Sequence, residues 1–511
     1  MIHGRNIFAL GLIPVAGAAV GCSQEEARPN ILIAIADDQS YPYASAYGST
    51  TVSTPAFDYV ASHGILFENA YSTSPGSSPS RASLLTGLFP WQVAEAGTHD
   101  SSFPSEYLCF PDVFAAAGYA SGYTGKGWGP GDWRVSGRKH NPAGPEYNEL
   151  KCDPPYSGIS KIDYSANFAK FLDSRQPGQP FCFWYGSHEP HRPYELDSWE
   201  RAGRDVADAE VPGFLPDTEI VRGDIMDYAV EISWFDGHLM ACIEALRERR
   251  LLDNTIIIVT ADNGMSFPHA KANCYDAGVH VPLAICWGDK IKGRGLESAL
   301  VSLVDIFPTL LDLTGVRMEG TDLSGESLAP LLGIGAGKYA STAVYSGRER
   351  HSCARHGNLG YPVRSVRSGN YLLVHNFRPE LWPAGDPVSL NAKGSKQDAY
   401  YDIDAAPSKS YLIEHRGEAG VKPYFDAAVA MRPEYELFNL ADDEACMTNV
   451  AGNPHYADVL DNMKKLLHKR LTETSDSRLG DNPEIWESYP RLAGKMREFP
   501  DNADIDNIED I

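Results

Sequence analysis

The sequence runs to 511 residues, of which 43% are hydrophobic and 22% charged. That balance excludes a disordered, fibrous or multispanning membrane chain, and the length suits about two to four domains. Lysine and arginine number 44 against 68 aspartates and glutamates, a net charge of −24. Nucleic acid is thereby excluded as a general partner, and any anionic substrate must be met by a few converging cations.

The first thirty residues read as an address. Arg5 and the amino terminus supply positive charge, and the apolar run from Ile7 to Val20 is too short to span a bilayer. It ends in Ala19-Val20-Gly21-Cys22, which resembles a bacterial lipobox. The expectation is a lipoprotein signal peptide over 1–21, lipidation of Cys22, and a tether over 22–28 containing the acidic Ser23-Gln24-Glu25-Glu26. The mature protein is then exported and held by its lipid anchor to a membrane of the bacterial cell envelope, on the periplasmic or the surface side. An ordinary secretory peptide cleaved nearby is the alternative. The eight other cysteines form no CxxC pair, so buried thiols are expected rather than disulfides.

The body reads as α/β. Ile31-Leu32-Ile33-Ala34-Ile35-Ala36 is a continuous apolar run that suits a buried parallel strand, and it ends in Asp37-Asp38. Ser77 to Gly87 is a Ser-rich loop with a helix expected to start near Ser80. Phe181-Cys182-Phe183-Trp184-Tyr185 is a further strand, ending near His188. Thr255-Ile256-Ile257-Ile258-Val259-Thr260 repeats the first design and runs into Ala261-Asp262-Asn263-Gly264. Ligands of open α/β sheets gather outside the carboxyl ends of strands, so two distant acidic strand ends can meet at one site. Arg364 to Arg367 and Tyr371 to His375 flank Ser368-Gly369-Asn370 as a hairpin. Tyr456, Val459, Leu460, Met463, Leu466, Leu467 and Leu471 recur at helical spacing, a packing stripe. These elements divide the chain into a large domain over 29–365, a smaller α+β domain over 366–490, and an acidic tail over 491–511.

Ser77-Ser78-Pro79-Ser80-Arg81-Ala82-Ser83-Leu84-Leu85-Thr86-Gly87 resembles the sulfatase signature at every defined position. A helix cap alone would not call for Pro, Arg, Leu, Thr and Gly together. Thr54-Pro55-Ala56-Phe57-Asp58 and Asp305-Ile306-Phe307-Pro308 also look like segments of that family. The resemblance implies an alkaline-phosphatase-like fold, a large mixed sheet flanked by helices with a smaller C-terminal α+β domain. It also implies that a separate maturase oxidises Ser77 to formylglycine, whose hydrate attacks sulfur with one hydroxyl and expels sulfate with the other.

The same resemblance assigns the remaining roles. Asp37, Asp38, Asp262 and Asn263 match the family's calcium positions, and oxygen donors suit that hard cation. Taken singly, Asp-Asp or Asp-Asn-Gly is more often a turn. Arg81, Lys126 and Lys271 match the family's sulfate-contacting cations, and His188 its general acid. One departure stands out: Gly125-Lys126-Gly127-Trp128 carries tryptophan where many members have histidine, and His191 is a candidate substitute.

Asp262-Asn263-Gly264-Met265-Ser266-Phe267-Pro268 and Tyr361-Pro362-Val363-Arg364-Ser365-Val366 resemble the N-sulfoglucosamine sulfohydrolase (heparan N-sulfatase) branch. The implied substrate is an N-sulfated glucosamine unit of heparan sulfate or heparin. Arg348, Glu349, His351 and Arg364 are expected to read the sugar, the alternative being an ion network between domains. Other readings are an O-sulfatase on another glycan and a lipoprotein that only binds sulfated glycan. A two-zinc phosphatase of the same superfold would need more His and Asp ligands than the sequence offers.

Overall fold

The computed structural model describes residues 27–291, 295–320, 322–387 and 399–492. The signal segment, Cys22 and most of the acidic tail lie outside the described residues. Two sheets carry the molecule. The larger consists of β1 (Asn30–Ala36), β2 (Gly64–Tyr71), β3 (Ala120–Gly125), β4 (Phe181–Gly186), β5 (Thr255–Ala261), β6 (His280–Cys286) and β7 (Gly295–Ser302). Its spatial order is β3-β4-β1-β5-β6-β2-β7. β1 pairs in parallel with β4 and β5, and β3 with β4, whereas β6 runs antiparallel to both of its neighbours.

β1, β4 and β5 are buried along their whole length, which their unbroken apolar runs require of strands covered on both faces. Helices supply the covers. α1 (Pro55–Ser62) and α4 (Tyr164–Ser174) pack on the long helix Glu219–Glu248, while α2 (Ser77–Thr86) packs on α3 (Phe110–Ala116) and on the helix Ile306–Thr314. The α2 helix begins three residues earlier than expected, with Gly76 in extended backbone as its N-cap and no side-chain cap bond.

The smaller sheet is antiparallel, in the order β11-β10-β9-β8, from β8 (Ala343–Arg348), β9 (Val363–Ser368), β10 (Tyr371–Asn376) and β11 (Tyr435–Asn439). The expected hairpin is β9–β10. The expected boundary at 365/366 falls inside β9 and needs correction. β8 precedes it by about twenty residues in sequence yet is hydrogen-bonded to β9 residue by residue, so the smaller sheet begins at Ala343. Met463, Leu467 and Leu471 of the helix Ala457–Glu473 are buried against Val366, Leu373 and Leu437, each burial contributing about 1.5–3 kcal/mol. Phe89, Trp91 and Val304 of the larger domain join that same core, so the two domains share packing. The eight described cysteines are all free thiols, and seven of them are buried.

Candidate active site

Four neighbouring parallel strands end at one edge of the large sheet. β1 releases Asp37 and Asp38, β5 releases Asp262 and Asn263, β4 leads to His188, and β3 to Lys126. The register pairs Ala36 with Ala261 and Gly125 with Gly186, so these side chains emerge level with one another. β2 ends at the same edge, and the loop after it brings Ser77 in as the first residue of α2. Arg81 lies one turn further on the same helix face.

Ser77 Oγ sits 3.0 Å from Asp37 Oδ1, 3.0 Å from Lys126 Nζ and 3.5 Å from Asn263 Oδ1. Lys126 Nζ also donates to both oxygens of Asp37 at 2.7 and 2.6 Å. Arg81 is fully buried. Its Nε donates to Asp262 at 2.7 Å, its Nη2 lies 3.4 Å from Asp37, and its Nη1 donates to the carbonyls of Lys126 and Gly127. Lys271 Nζ donates to Asp38 at 2.7 Å, to Asp404 at 2.9 Å and to His191 Nε2 at 3.0 Å. Burial alone would raise the Asp37 carboxyl, but Lys126 and Arg81 hold it well below the usual range. Burial pushes Asp262 up to about 6, with Arg81 opposing and Asp37 adding repulsion. Asp38 and Asp404 outweigh burial at Lys271 and keep it charged.

Carboxylate oxygens of Asp37, Asp38 and Asp262 all lie within 4.8 Å of one another, and the Asn263 amide oxygen faces the same point from beside Ser77. Buried carboxylates that crowd so closely repel one another unless a cation joins them, and an all-oxygen set fits calcium. A second group, Asp38, His191 and Asp404, is as compact, and there the Lys271 ammonium bonds to all three.

His188 opens on the cleft, and the described residues give its ring no hydrogen-bond partner. Enclosure by the cleft walls, helped by Lys126 and Arg81 against the pull of Asp37, lowers it to about 4. His191 does not stand free as a base. Its Nε2 accepts from Lys271 and its Nδ1 faces the Arg192 carbonyl at 2.6 Å. Trp128 is buried and structural: its indole N–H donates to the Ser78 carbonyl at 3.0 Å, bracing the residue after Ser77.

The expected sugar-reading group needs correction. Arg364 donates to Asp476 and Glu349, and Arg478 holds the other Glu349 oxygen at 2.6 Å, a closed network at the domain junction. Arg348 is buried and bonded to Asp402 and to the carbonyls of Ala272 and Pro383. Both guanidinium groups are buried and turned onto acids and carbonyls of the protein rather than onto the cleft. Of the four, His351 alone borders the site: it stacks on His99, and the pair abuts Gly76. His99 and Asp404 escaped the sequence reading. Neither sits in a motif, and each reaches the cleft only through folding.

The fold and the cleft define the class: a hydrolase of mixed α/β architecture whose cations and carboxylates surround one serine at a helix start. A sulfatase family model matches residues 29–316, more than half of the chain, and the chain belongs to that family. It is an enzyme of the sulfuric ester hydrolase kind. It is 28% identical to human N-sulphoglucosamine sulphohydrolase over 88% of this chain and 91% of that one. It is 25% identical to an N-acetylglucosamine-6-O-sulfatase of Bacteroides thetaiotaomicron, over 75% and 86% of the two chains. A solved chain in complex with its substrate D-glucosamine-2-N,6-O-disulfate superposes with a TM-score of 0.63 at 20% identity, covering 89% of this chain and 99% of that one. The fold is thus that of the alkaline-phosphatase-like sulfatases.

Proposed function

We propose that this sulfatase acts on a sulfated glycan of the glycosaminoglycan type, with formylglycine at position 77 and a calcium ion held by Asp37, Asp38, Asp262 and Asn263. N-sulfated glucosamine of heparan sulfate or heparin is the first candidate substrate. The observation that carries the reading is the junction at Ser77, whose Oγ lies within 3.0 Å of both Asp37 and Lys126. The similarity to the human sulphohydrolase supports the N-sulfate, and that to the 6-O-sulfatase makes an O-sulfated glycan the second reading. An exported, lipid-anchored protein matured by a separate enzyme is part of this proposal, on the lipobox at Cys22.

Formylglycine would supply a hydrated aldehyde as nucleophile, and calcium would supply positive charge for the sulfate oxygens. The chain's own residues do the rest. Asp37, kept ionised, accepts from the hydroxyl at position 77 and orients it. Lys126, Arg81 and Lys271 line a water-poor pocket where fixed cations offset the charge of a transferring sulfate. The amides of the first α2 turn point the same way. His188, exposed at the cleft, would act as proton donor to the departing sugar atom once it has itself taken up a proton.

The test has two arms. Mass spectrometry of the peptide containing residue 77 should find it about 2 Da lighter than serine. Matured enzyme should release sulfate from defined N- or O-sulfated glucosamines, and Ser77→Ala should lose at least about a thousandfold while keeping its circular dichroism. Near-normal release by that variant sinks the mechanism.

A further inference from the structure

We propose that His99, His351 and Asp404 form a wall beside the sulfate pocket that reads hydroxyl or amine groups of the sugar and turns away a second sulfate on the same ring. The proposal rests on the sulfated-glycan reading above.

The two histidine rings lie 4.5 Å apart, tilted by 37°. They converge on Gly76, the residue before the nucleophile. A Cβ there would lie 2.9 Å from His99 Nε2 and 3.2 Å from His351 Nδ1, so only glycine lets them approach. His99 is 6% exposed, and its Nε2 is buried without a hydrogen-bond partner. A polar atom left so, next to the reacting position, points to a group that arrives with the substrate. Asp404 comes from a different part of the chain, just before the helix Pro407–His415. It bonds to Lys271, keeps 29% of its side chain exposed, and has no second hydrogen-bond partner among the described residues.

Charge decides what such a wall accepts. Lys271 keeps Asp404 ionised in spite of its enclosure. Burial, helped by His351 and Lys271, lowers His99, and burial with Lys271 outweighs the pull of Asp402 and lowers His351, so both imidazoles are neutral. The nearby guanidinium groups are anchored away from the wall, although Arg348 Nε, Arg350 Nε and Arg355 Nη1 keep no partner among the described residues. Arg348 and Arg355 both bond to Asp402, and Arg350 to the carbonyls of His99, Tyr489 and Pro490. The wall therefore offers a carboxylate and imidazole nitrogens, which suit hydroxyl and ammonium donors. A second sulfate would meet Asp404 as like charge in a partly desolvated place.

The experiment measures kcat/KM on D-glucosamine N-sulfate, D-glucosamine 6-O-sulfate and D-glucosamine-2-N,6-O-disulfate, with 4-nitrophenyl sulfate as reference. The better monosulfate should exceed the disulfate by at least about tenfold in the wild type, and Asp404→Asn should shrink that ratio below about threefold. Asp404→Glu, which keeps the charge, should keep the preference. His351→Ala should raise KM for the monosulfate more than for the aryl sulfate. A wild type that favours the disulfate, or a ratio untouched by Asp404→Asn, overturns the wall. Turnover of the aryl sulfate with none of the three sugars overturns the glycan reading itself, and the wall with it.

Discussion

At the scale of single residues, the site separates jobs that similar side chains share on paper. Lys126, half-buried, and Lys271, buried, both stand beside carboxylates, yet only Lys126 touches Ser77. His188 and His191 are three residues apart, but one faces the open cleft while the other is consumed by Lys271. This difference makes a prediction. A phenolate leaves without a proton, whereas a sugar oxygen or nitrogen needs one. His188→Ala should therefore cost about a hundredfold or more on a glucosamine sulfate and much less on 4-nitrophenyl sulfate. Equal losses on both would remove His188 from the leaving-group role.

At the scale of elements, buried charge decides stability at two places. Arg364 of β9 ties the small sheet to Asp476 and Glu349, and removing it deprives the buried Asp476 of its guanidinium partner and leaves Glu349 to Arg478 alone. Arg364→Ala should destabilise by about 3–5 kcal/mol and lower the melting temperature, with glycan and aryl sulfate activities falling together. A selective loss on glycan in a normally stable variant would restore it as a sugar contact. On the long helix Glu219–Glu248, Glu231 is buried, faces Glu189 and Asp227, and is pushed up to about 9. The folded form thus keeps a proton that the unfolded chain loses from its ordinary value of 4.5, so this residue erodes stability as pH rises from 4.5 to about 9. Glu231→Gln should remove up to about 1.4 kcal/mol of that erosion per pH unit and melt higher than wild type at pH 8. Identical pH dependence in denaturant titrations of the two proteins would contradict the assignment.

At the scale of the whole molecule, the three crowded carboxylates join strand ends that are over two hundred residues apart in sequence. The proposed cation, shared by them, would link β1 to β5 and stabilise the native state by mass action. Calcium in hundredfold excess over its dissociation constant should add about 2.7 kcal/mol, seen as a higher melting temperature that a chelator reverses. Asp262→Ala should abolish the shift. A melting temperature indifferent to calcium in the wild type would remove the metal from the site.

The sequence by itself determined a good deal. Continuous apolar runs marked β1, β4 and β5, because a strand buried on both faces leaves no room for alternation. The Ser-x-Pro-Ser-Arg motif and the acidic strand ends marked Ser77 and the oxygen donors that the fold brings beside it, because local segments carry those residues intact. The hairpin and the helical stripe near the C-terminus were legible for the same reason. Tertiary structure alone decided the rest. Whether Arg348 and Arg364 face a substrate or a buried acid depends on Asp402 and Asp476, which come from distant loops that no spacing announces. β8 joined the small sheet through pairing with β9, and pairing partners are not written in local pattern. His99 and Asp404 reached the cleft in the same way, brought beside Gly76 and Lys271 by tertiary packing that no local pattern encodes.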